Sequence, residues 1–370
     1  MVKLAYTNDS KSFAARHAGS SPASGTMKKV PLILSSFLFF FLSPFLVHAQ
    51  TATTSPFGER LFYYSTLKSN TADFIAHAKD IDIIAPQTYE VTATLTASGT
   101  VPADLAQAAQ VAHVKIMPLI ANHNFSQILI HNFLTSSTAE NTMIAFLVSE
   151  AQAKGYIGWQ FDFEHIPYTD GDAFNSFTEK ASLALHAHGL VLSIAVVARA
   201  PDSASSDTSS SFYKNWSGAY DYARIGSAAD FLSLMAYDDP NSTNASAPLP
   251  FVKSVLNTVL TQVSPSKISL GIPLFYWGWS ISPLKNINSG GTYAAAMERL
   301  TDYPSLQGFN PSIGVPWIIY KLGQKIYMIW YENAQSFQLK ASLVNTYHLR
   351  GFSAWVLGSE DPAIWNALGN

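Results

Sequence analysis

The sequence contains no cysteine, which excludes a disulfide framework and metal sites built from thiolates. Charged residues are also scarce, at 13% of 370 residues, and the formal net charge is −3. A mildly acidic chain lacks the basic surface that binds nucleic acid, so we expect no nucleic-acid partner. The ten histidines show no HExxH spacing, and no phosphate-binding glycine motif follows a predicted strand. We therefore expect no metal ion, no cofactor, and a monomer large enough to fold without crosslinks.

A long apolar run lies near the N-terminus. Lys28 and Lys29 precede the apolar residues 30–47, and Ala49 offers a small residue for cleavage. A basic segment, an apolar segment and a small-residue site in this order are typical of a secretory signal peptide, which we predict over residues 27–49. A membrane anchor is the alternative, because the run approaches the ~20 apolar residues that span a bilayer. Two prolines and the cleavage-like end favour export.

This signal divides the chain into parts. Residues 1–26, rich in Ser, Ala and Gly, are predicted to be a non-structural upstream extension, and residues 50–59 a short linker. Residues 60–370 are predicted to form one domain. We expect the protein to be secreted, either extracellular or in the cell envelope, with no stable membrane insertion after cleavage.

Apolar strand-like segments alternate with helical segments through the rest of the chain. A helical segment follows each of the first six strands, and such continuous apolar strands indicate a parallel sheet covered on both faces. Eight strands near the typical ~250-residue length predict an α/β fold, the (β/α)8 TIM barrel; a doubly wound open sheet is the alternative. The predicted strands are Leu61–Leu67, Ile81–Tyr89, Lys115–Asn122, Gly158–Ile166, Val191–Ala198, Phe231–Asp238, Ile268–Phe275 and Gly351–Leu357.

The connection after the seventh strand is longer than the others. It contains two strand-like runs, Trp317–Lys321 and Ile326–Tyr331, joined by a turn at Gly323-Gln324. This pattern predicts a hairpin inside a small α+β insertion at about residues 277–332. Trp277, Trp279 and Trp317 either line a cleft there or pack the insertion itself.

The segment Gly158–Glu164 (GWQFDFE) carries the strongest chemical signal. Side chains alternate across a strand, so Gln160, Asp162 and Glu164 share one face. In a barrel that face points inward near the C-terminal end of the strand, where catalytic groups lie. Two neighbouring carboxylates repel each other, and this repulsion raises the pKa of at least one, as a general acid requires. A solvated strand end is the alternative reading.

These residues resemble the DxxDxDxE signature of glycoside hydrolase family 18, the chitinase-like barrels, in which Ile157 and Gln160 replace the first two acids. Other segments resemble the family in the same order, namely Met235–Asp238 (MAYD), Lys267–Tyr276 (KISLGIPLFY) and Gly351–Asp361 (GFSAWVLGSED). The resemblance spans roughly residues 60–366. Within the family, the sequence is most similar to the bacterial spore-germination peptidoglycan glycosylases.

The resemblance implies a retaining, substrate-assisted glycosidase, which is an exception to the two-carboxylate scheme. Glu164 would protonate the leaving oxygen and later activate water. Asp162 would orient the 2-acetamido group of the substrate, and Tyr237 would donate to its oxygen. The substrate would be a β-linked N-acetylglucosamine-containing polysaccharide, either chitin-like or peptidoglycan.

Several other residues are expected to bind substrate from their place at strand ends or from the resemblance. By the resemblance, Trp355 corresponds to the tryptophan that forms the floor of the family's −1 sugar subsite; alternatively, it packs in the barrel core. Asp238 either tunes Glu164 or caps a loop. The predicted substrate-binding residues are Gln160, Asp238, Trp355, Tyr64, Gln87 and Trp277.

Two other functions remain open at this point. The same barrel could serve as a non-catalytic carbohydrate-binding protein, a lectin or a cell-wall or spore-coat component. Retention of Glu164 and Asp162 favours an enzyme, whereas Gln160 favours binding alone. A glycosidase with two enzymatic carboxylates is the other alternative, and Asp238 is the candidate for its second acid.

Overall fold

The computed structural model describes residues 57–67, 69–201, 203–239, 245–282 and 284–369. The predicted upstream extension, the predicted signal peptide and most of the predicted linker lie outside these residues. The first strand begins at Glu59, and the buried Phe57 just before it joins the hydrophobic core.

A closed ring of parallel strands, with eight positions around it, forms the centre of the fold. Further strands belong to an edge of this ring and to the insertion. The strands are β1 (Glu59–Tyr64), β2 (Ile83–Val91), β3 (Ala97–Gly99), β4 (Lys115–Ile116), β5 (Leu119–Asn122), β6 (Gly158–Asp162), β7 (Val191–Val197), β8 (Phe231–Met235), β9 (Ile268–Pro273), β10 (Phe275–Ser282), β11 (Leu284–Thr292), β12 (Ser305–Asn310), β13 (Val315–Leu322), β14 (Lys325–Trp330) and β15 (Gly351–Trp355).

Helices follow the barrel strands and cover the outside of the ring. The helices are α1 (Thr71–His77), α2 (Ala103–Ala112), α3 (Gln127–Leu134), α4 (Ser137–Lys154), α5 (Gly171–His186), α6 (Tyr222–Ala228), α7 (Leu249–Val259), α8 (Tyr293–Asp302), α9 (Ala334–Thr346) and α10 (Ile364–Leu368). Among the residues described, no helix combines the length and apolar character needed to cross a membrane.

Pairing of the first strand with both its neighbours closes the ring. β1 pairs in parallel with β2 on one side and with β15 on the other, and the remaining pairs run through β9, β8, β7, β6 and β5 back to β2. This topology confirms the predicted (β/α)8 barrel. The short β3 adds an antiparallel edge to β2.

Alternation along the strands separates two cores. In β1, Leu61 and Tyr63 point into the barrel, while Phe62 and Tyr64 join the large apolar layer between strands and helices. Packing in this outer layer is dominated by fully buried aromatic rings such as Trp159, Phe161 and Phe177, because large apolar side chains contribute most when removed from water.

The third barrel position differs from the predicted continuous strand. Two short strands, β4 and β5, flank Met117-Pro118, because proline has no N–H to donate to the ladder. The sequence analysis also missed α3, which Ser126 caps by accepting from the Leu129 N–H at 3.3 Å. The fourth strand is shorter than predicted and ends at Asp162.

The insertion after the seventh barrel strand is a five-stranded antiparallel sheet in the order β11-β10-β14-β13-β12, with α8 against one face. The predicted hairpin corresponds to β13 and β14, and Gly323 in its turn adopts a left-handed φ of 62°. Both the hairpin and the α+β character of the insertion are confirmed.

Candidate active site

The end of β6 brings the predicted acids to the C-terminal mouth of the barrel. Asp162 is the last residue of the strand and is only 4% exposed, while Glu164 lies two residues beyond it and is partly exposed. Phe161 and Phe163 are fully buried on the opposite face, where they stack on each other. The aromatic pair anchors the strand end to the helix layer and leaves the carboxyls facing inward.

Burial is the main reason that these carboxyls are unusual. It raises the pKa of Glu164 well above its ordinary value, and repulsion from Asp162 and Asp238 adds to the effect. It also raises the pKa of Asp162 to about 7, an effect that a hydrogen bond with Gln87 partly offsets. The sequence analysis attributed the raised pKa to repulsion between the two acids, whereas desolvation is the larger cause.

Gln160 points into the barrel, as its place on the strand predicts. Its side chain is fully buried inside the barrel, and its amide donates to the Ser193 hydroxyl at 2.9 Å. Gln160 lies two positions before Asp162 on the same strand face and therefore under it, and its contact with substrate stays a prediction. Gln87, in the middle of β2, is the amide that contacts Asp162.

A chain of hydroxyl groups fills the barrel beneath the acids. The Tyr63 hydroxyl lies 2.8 Å from the Ser233 hydroxyl, and Ser353 links Ser233 to Ser269. Sequence reasoning missed this network, although its signal is visible in the sequence. Each of four neighbouring barrel strands, β7, β8, β9 and β15, contains one serine within an apolar run. Burial raises the pKa of Tyr63, and the negative charge of Asp162 adds to the rise.

Tyr63, rather than Tyr64, faces the site. Trp355 packs on Tyr63 with ring centroids 5.1 Å apart, so this tryptophan lies at the inner rim of the barrel mouth. Tyr64 points the other way into the helix-facing core and is 5% exposed. Consecutive residues of a strand face opposite sides, so Tyr64 points away from the acids, and its contact with substrate stays a prediction.

The end of β8 supplies a second acid and a tyrosine. Asp238 has a left-handed φ of 58°, and its Oδ1 accepts from the Trp277 indole at 2.7 Å and from the Ser246 hydroxyl at 2.9 Å. Burial raises the pKa of Asp238, and these two hydrogen bonds partly counter the rise. Trp277 thus joins the first insertion strand to the site, while Ser246 is a contact that sequence reasoning did not find.

Tyr237 lies between the acids and the insertion. Its ring packs edge-on against Phe275, with centroids 6.1 Å apart. Burial raises its pKa strongly, and the charges of Asp162, Asp238 and Glu164 add to the effect. A Cβ on Gly271 would lie only 3.0 Å from this ring, so glycine makes room for it. The tyrosine is therefore a neutral hydrogen-bond donor next to both acids.

Together these residues place three carboxyls, a neutral tyrosine and two tryptophans at the C-terminal mouth of the barrel. Protonated Glu164 can donate a proton, and Asp162 can accept a hydrogen bond once it ionises. Within the described part of the chain, no cluster of three His, Cys, Asp or Glu side chains is arranged to hold a metal ion.

Comparison with known families gives one match that covers most of the chain. The sequence model of Glycosyl hydrolases family 18 matches residues 60–360.

Curated proteins and solved structures are similar over much of the chain. The Uncharacterized glycosylase YvbX of Bacillus subtilis is 24% identical over 86% of this chain and 88% of its own length. The Cortical fragment-lytic enzyme of B. subtilis is 28% identical, over 68% of this chain and 58% of its own. This chain thus spans less than two thirds of the latter relative.

Two solved structures share the fold closely. A chitinase from Chromobacterium violaceum aligns with a TM-score of 0.76 and 27% identity, over 84% of this chain and 98% of its own. The spore cortex-lytic enzyme SleL of Bacillus megaterium aligns with a TM-score of 0.74 and 25% identity, over 84% of this chain and 73% of its own.

Proposed function

Because the chain belongs to family 18 of the glycosyl hydrolases and is a glycoside hydrolase, we propose that it is a retaining glycosidase that cleaves β-linked N-acetylglucosamine-containing glycans with help from the substrate. The observation that carries this proposal is the acid pair at the end of β6. Burial raises the pKa of Glu164 well above its ordinary value, in the direction that a general acid requires, and raises the pKa of Asp162 beside it to about 7.

The reaction uses Glu164 twice. Its proton passes to the glycosidic oxygen as the C1–O bond breaks, while the carbonyl oxygen of the substrate's own 2-acetamido group bonds to C1. Water then attacks C1 of the resulting oxazolinium ring from the face of the departed group and gives a proton back to Glu164. Two displacements at C1 produce retention of configuration, with no second enzymatic carboxylate acting as nucleophile.

Asp162 and Tyr237 hold the acetamido group during these steps. Ionised Asp162 accepts from the amide N–H and stabilises the positive charge that develops on the ring. Tyr237, kept neutral by its raised pKa, donates to the acetamido oxygen. Trp355 offers an apolar face beneath the sugar, and Asp238 and Trp277 bound the other side. Substrates without a 2-acetamido group lack the nucleophile.

The substrate class follows from this chemistry and agrees with the relatives. One similar protein is a cortical fragment-lytic enzyme and another is a chitinase, and these names support the proposed substrate class. We propose peptidoglycan or a chitin-like polymer as substrate. The signal-like N-terminus supports export, and the N-terminal residue of protein recovered from the culture medium tests it, with Gln50 expected.

Turnover of chitooligosaccharides and of purified peptidoglycan by the full chain and by Glu164→Gln tests the proposal. Loss of general acid catalysis should lower kcat by about 10²–10⁴-fold. Glu360→Gln is the matched control. Burial raises the pKa of Glu360 to about 7 as well, but the charge that acts on it is that of Asp73 and not that of a residue of the acid pair. Equal turnover by Glu164→Gln and the wild type would remove Glu164 from the acid role.

Two further readouts address the stereochemistry and the nucleophile. The first product released should have the β configuration at C1, seen by NMR before mutarotation. A thiazoline analogue of the bound acetamido sugar should inhibit competitively, because it mimics the ring intermediate. An α product, or no inhibition by the thiazoline, would contradict the substrate-assisted route.

A further inference from the structure

The main chain at Glu164 has lost its strand partners. The register between β5 and β6 ends with the pair Ala121 and Asp162, so the N–H and C=O of Glu164 lie beyond the ladder. His165 follows with a left-handed φ of 57°, which turns the chain away from the barrel. A peptide in this position needs other hydrogen-bond partners, because unpaired buried main-chain groups destabilise the fold.

The Asn122 side chain supplies both partners. Its Oδ1 accepts from the Glu164 N–H at 3.0 Å, and its Nδ2 donates to the Glu164 C=O at 3.0 Å. Asn122 is the last residue of β5 and is 1% exposed, so packing fixes its own position. One amide therefore replaces the missing strand pairing on both sides of the Glu164 Cα.

Neighbouring contacts fix the peptides on either side of Glu164. The Tyr220 hydroxyl donates to the Phe163 C=O at 2.7 Å. The His165 Nδ1 donates to the Phe125 C=O at 3.1 Å, and its ring stacks on Trp216 with centroids 4.3 Å apart. Asn122 is the member of this set that holds the main chain of Glu164 itself.

We propose that Asn122 is a positioning residue for the acid, which fixes the Glu164 main chain so that its carboxyl is aimed at the scissile bond. This inference rests on the proposed function of Glu164. A displacement of about 1 Å at a catalytic group lowers rate by up to about 10²-fold, so the amide clamp sets the rate without touching the substrate. Among the described residues, the hydrogen bonds of the Asn122 side chain go to main-chain groups, those of Glu164 and the Ser126 C=O at 3.5 Å.

The test uses kcat and KM for chitooligosaccharides and purified peptidoglycan with the full chain. Asn122→Leu keeps a side chain of similar size but removes both hydrogen bonds to the Glu164 main chain. It should lower kcat by about 10–10²-fold while KM changes less than about threefold. Asn175→Leu is the matched control, because Asn175 is equally buried on α5 and accepts from the Asp221 N–H at 3.4 Å. The control should keep wild-type kcat even if its melting temperature falls.

The conservative variant Asn122→Asp separates positioning from general stability. A protonated carboxyl can accept from and donate to the Glu164 peptide, whereas an ionised carboxylate can only accept. Its kcat relative to wild type should therefore be highest at acid pH and fall as pH rises through the pKa of the new carboxyl. Hydrogen exchange at the 163–166 segment should become faster in Asn122→Leu.

The outcomes distinguish the two claims. Folded Asn122→Leu with wild-type kcat, or an equal loss in Asn175→Leu, overturns the positioning role even if Glu164→Gln is inactive. A large rise in KM with unchanged kcat also overturns it, because that pattern belongs to substrate binding. If Glu164→Gln keeps full activity, the proposed function fails first, independently of Asn122.

Discussion

At the scale of single residues, burial sets the acidity of this site. Asp162 and Glu164 come from one strand end, and desolvation raises the pKa of both. Their neighbours act in opposite directions, because Gln87 stabilises the ionised form of Asp162 while the charges of Asp162 and Asp238 oppose ionisation of Glu164. A pair separated in this way can supply an acid and an anion at the same pH.

This separation predicts a bell-shaped dependence of kcat/KM on pH. Activity should rise as pH increases through about 7, where Asp162 ionises, and fall at higher pH as Glu164 loses its proton. Asp162→Asn should remove the rise in activity near pH 7. It should also move the fall in activity at alkaline pH to lower pH, because the charge of Asp162 no longer raises the pKa of Glu164.

Glu360→Gln serves as the control for this profile. Glu360 also titrates near 7, but its carboxylate accepts from the Gly358 N–H, outside the acid pair. Its substitution should leave both limbs in place. If the limb near 7 disappears in Glu360→Gln and persists in Asp162→Asn, then Asp162 is not the group that titrates.

At the scale of elements, a buried ion pair joins the insertion to the barrel. Lys340 of α9 lies 2.9 and 2.8 Å from the two carboxylate oxygens of Glu332, just after β14, and both residues are nearly inaccessible. Burial raises the pKa of Glu332, and Lys340 opposes this rise. The start of α9 is also held by Asp361, which accepts from the Ala334 N–H at 2.9 Å.

Lys340→Ala should lower the free energy of unfolding by about 3–5 kcal/mol, because it leaves the Glu332 carboxylate buried without its opposite charge. Urea unfolding followed by circular dichroism measures the change. The double substitution Lys340→Met with Glu332→Leu should recover most of this loss, since it removes both charges. A loss below about 1 kcal/mol in Lys340→Ala would show that Glu332 finds another partner or takes up a proton.

At the scale of the whole molecule, the insertion carries a partly buried tryptophan cluster next to the acid site. Trp277, Trp330 and Trp317 lie directly opposite one another across three strands, and Trp279 lies opposite Met328 on the same face. The other face packs against α8. Because Trp277 also donates to Asp238, the tryptophan face is continuous with the acid site.

We expect Trp279→Ala and Trp317→Ala to weaken binding of long oligosaccharides more than of short ones. Loss of one aromatic contact of about 0.5–1.5 kcal/mol corresponds to a KM increase of about 2–13-fold, with kcat little changed. Tyr327→Ala is the matched control, because Tyr327 stacks on Tyr320 on the opposite face. Equal effects on chains of every length would place the two tryptophans outside the binding cleft.

The sequence by itself determined the barrel and the location of its acids. Strand and helix periodicity depends on near neighbours along the chain, so the eight strands and the hairpin of the insertion were predictable. The spacing of Asp162 and Glu164 set their common face for the same reason. The serine in each of four strands was also visible, although its role was not.

Only the tertiary structure decided how the site works. Burial of the acids, the amides of Gln87 and Asn122, and the placement of Gln160 under the site depend on segments far apart in the chain. Tyr63, and not Tyr64, faces the barrel interior. Which of two consecutive residues faces inward depends on the register of the strand, which propensity does not fix. Desolvation and side-chain hydrogen bonds arise from three-dimensional neighbours, so the chemistry of the pair appears only once the barrel is closed.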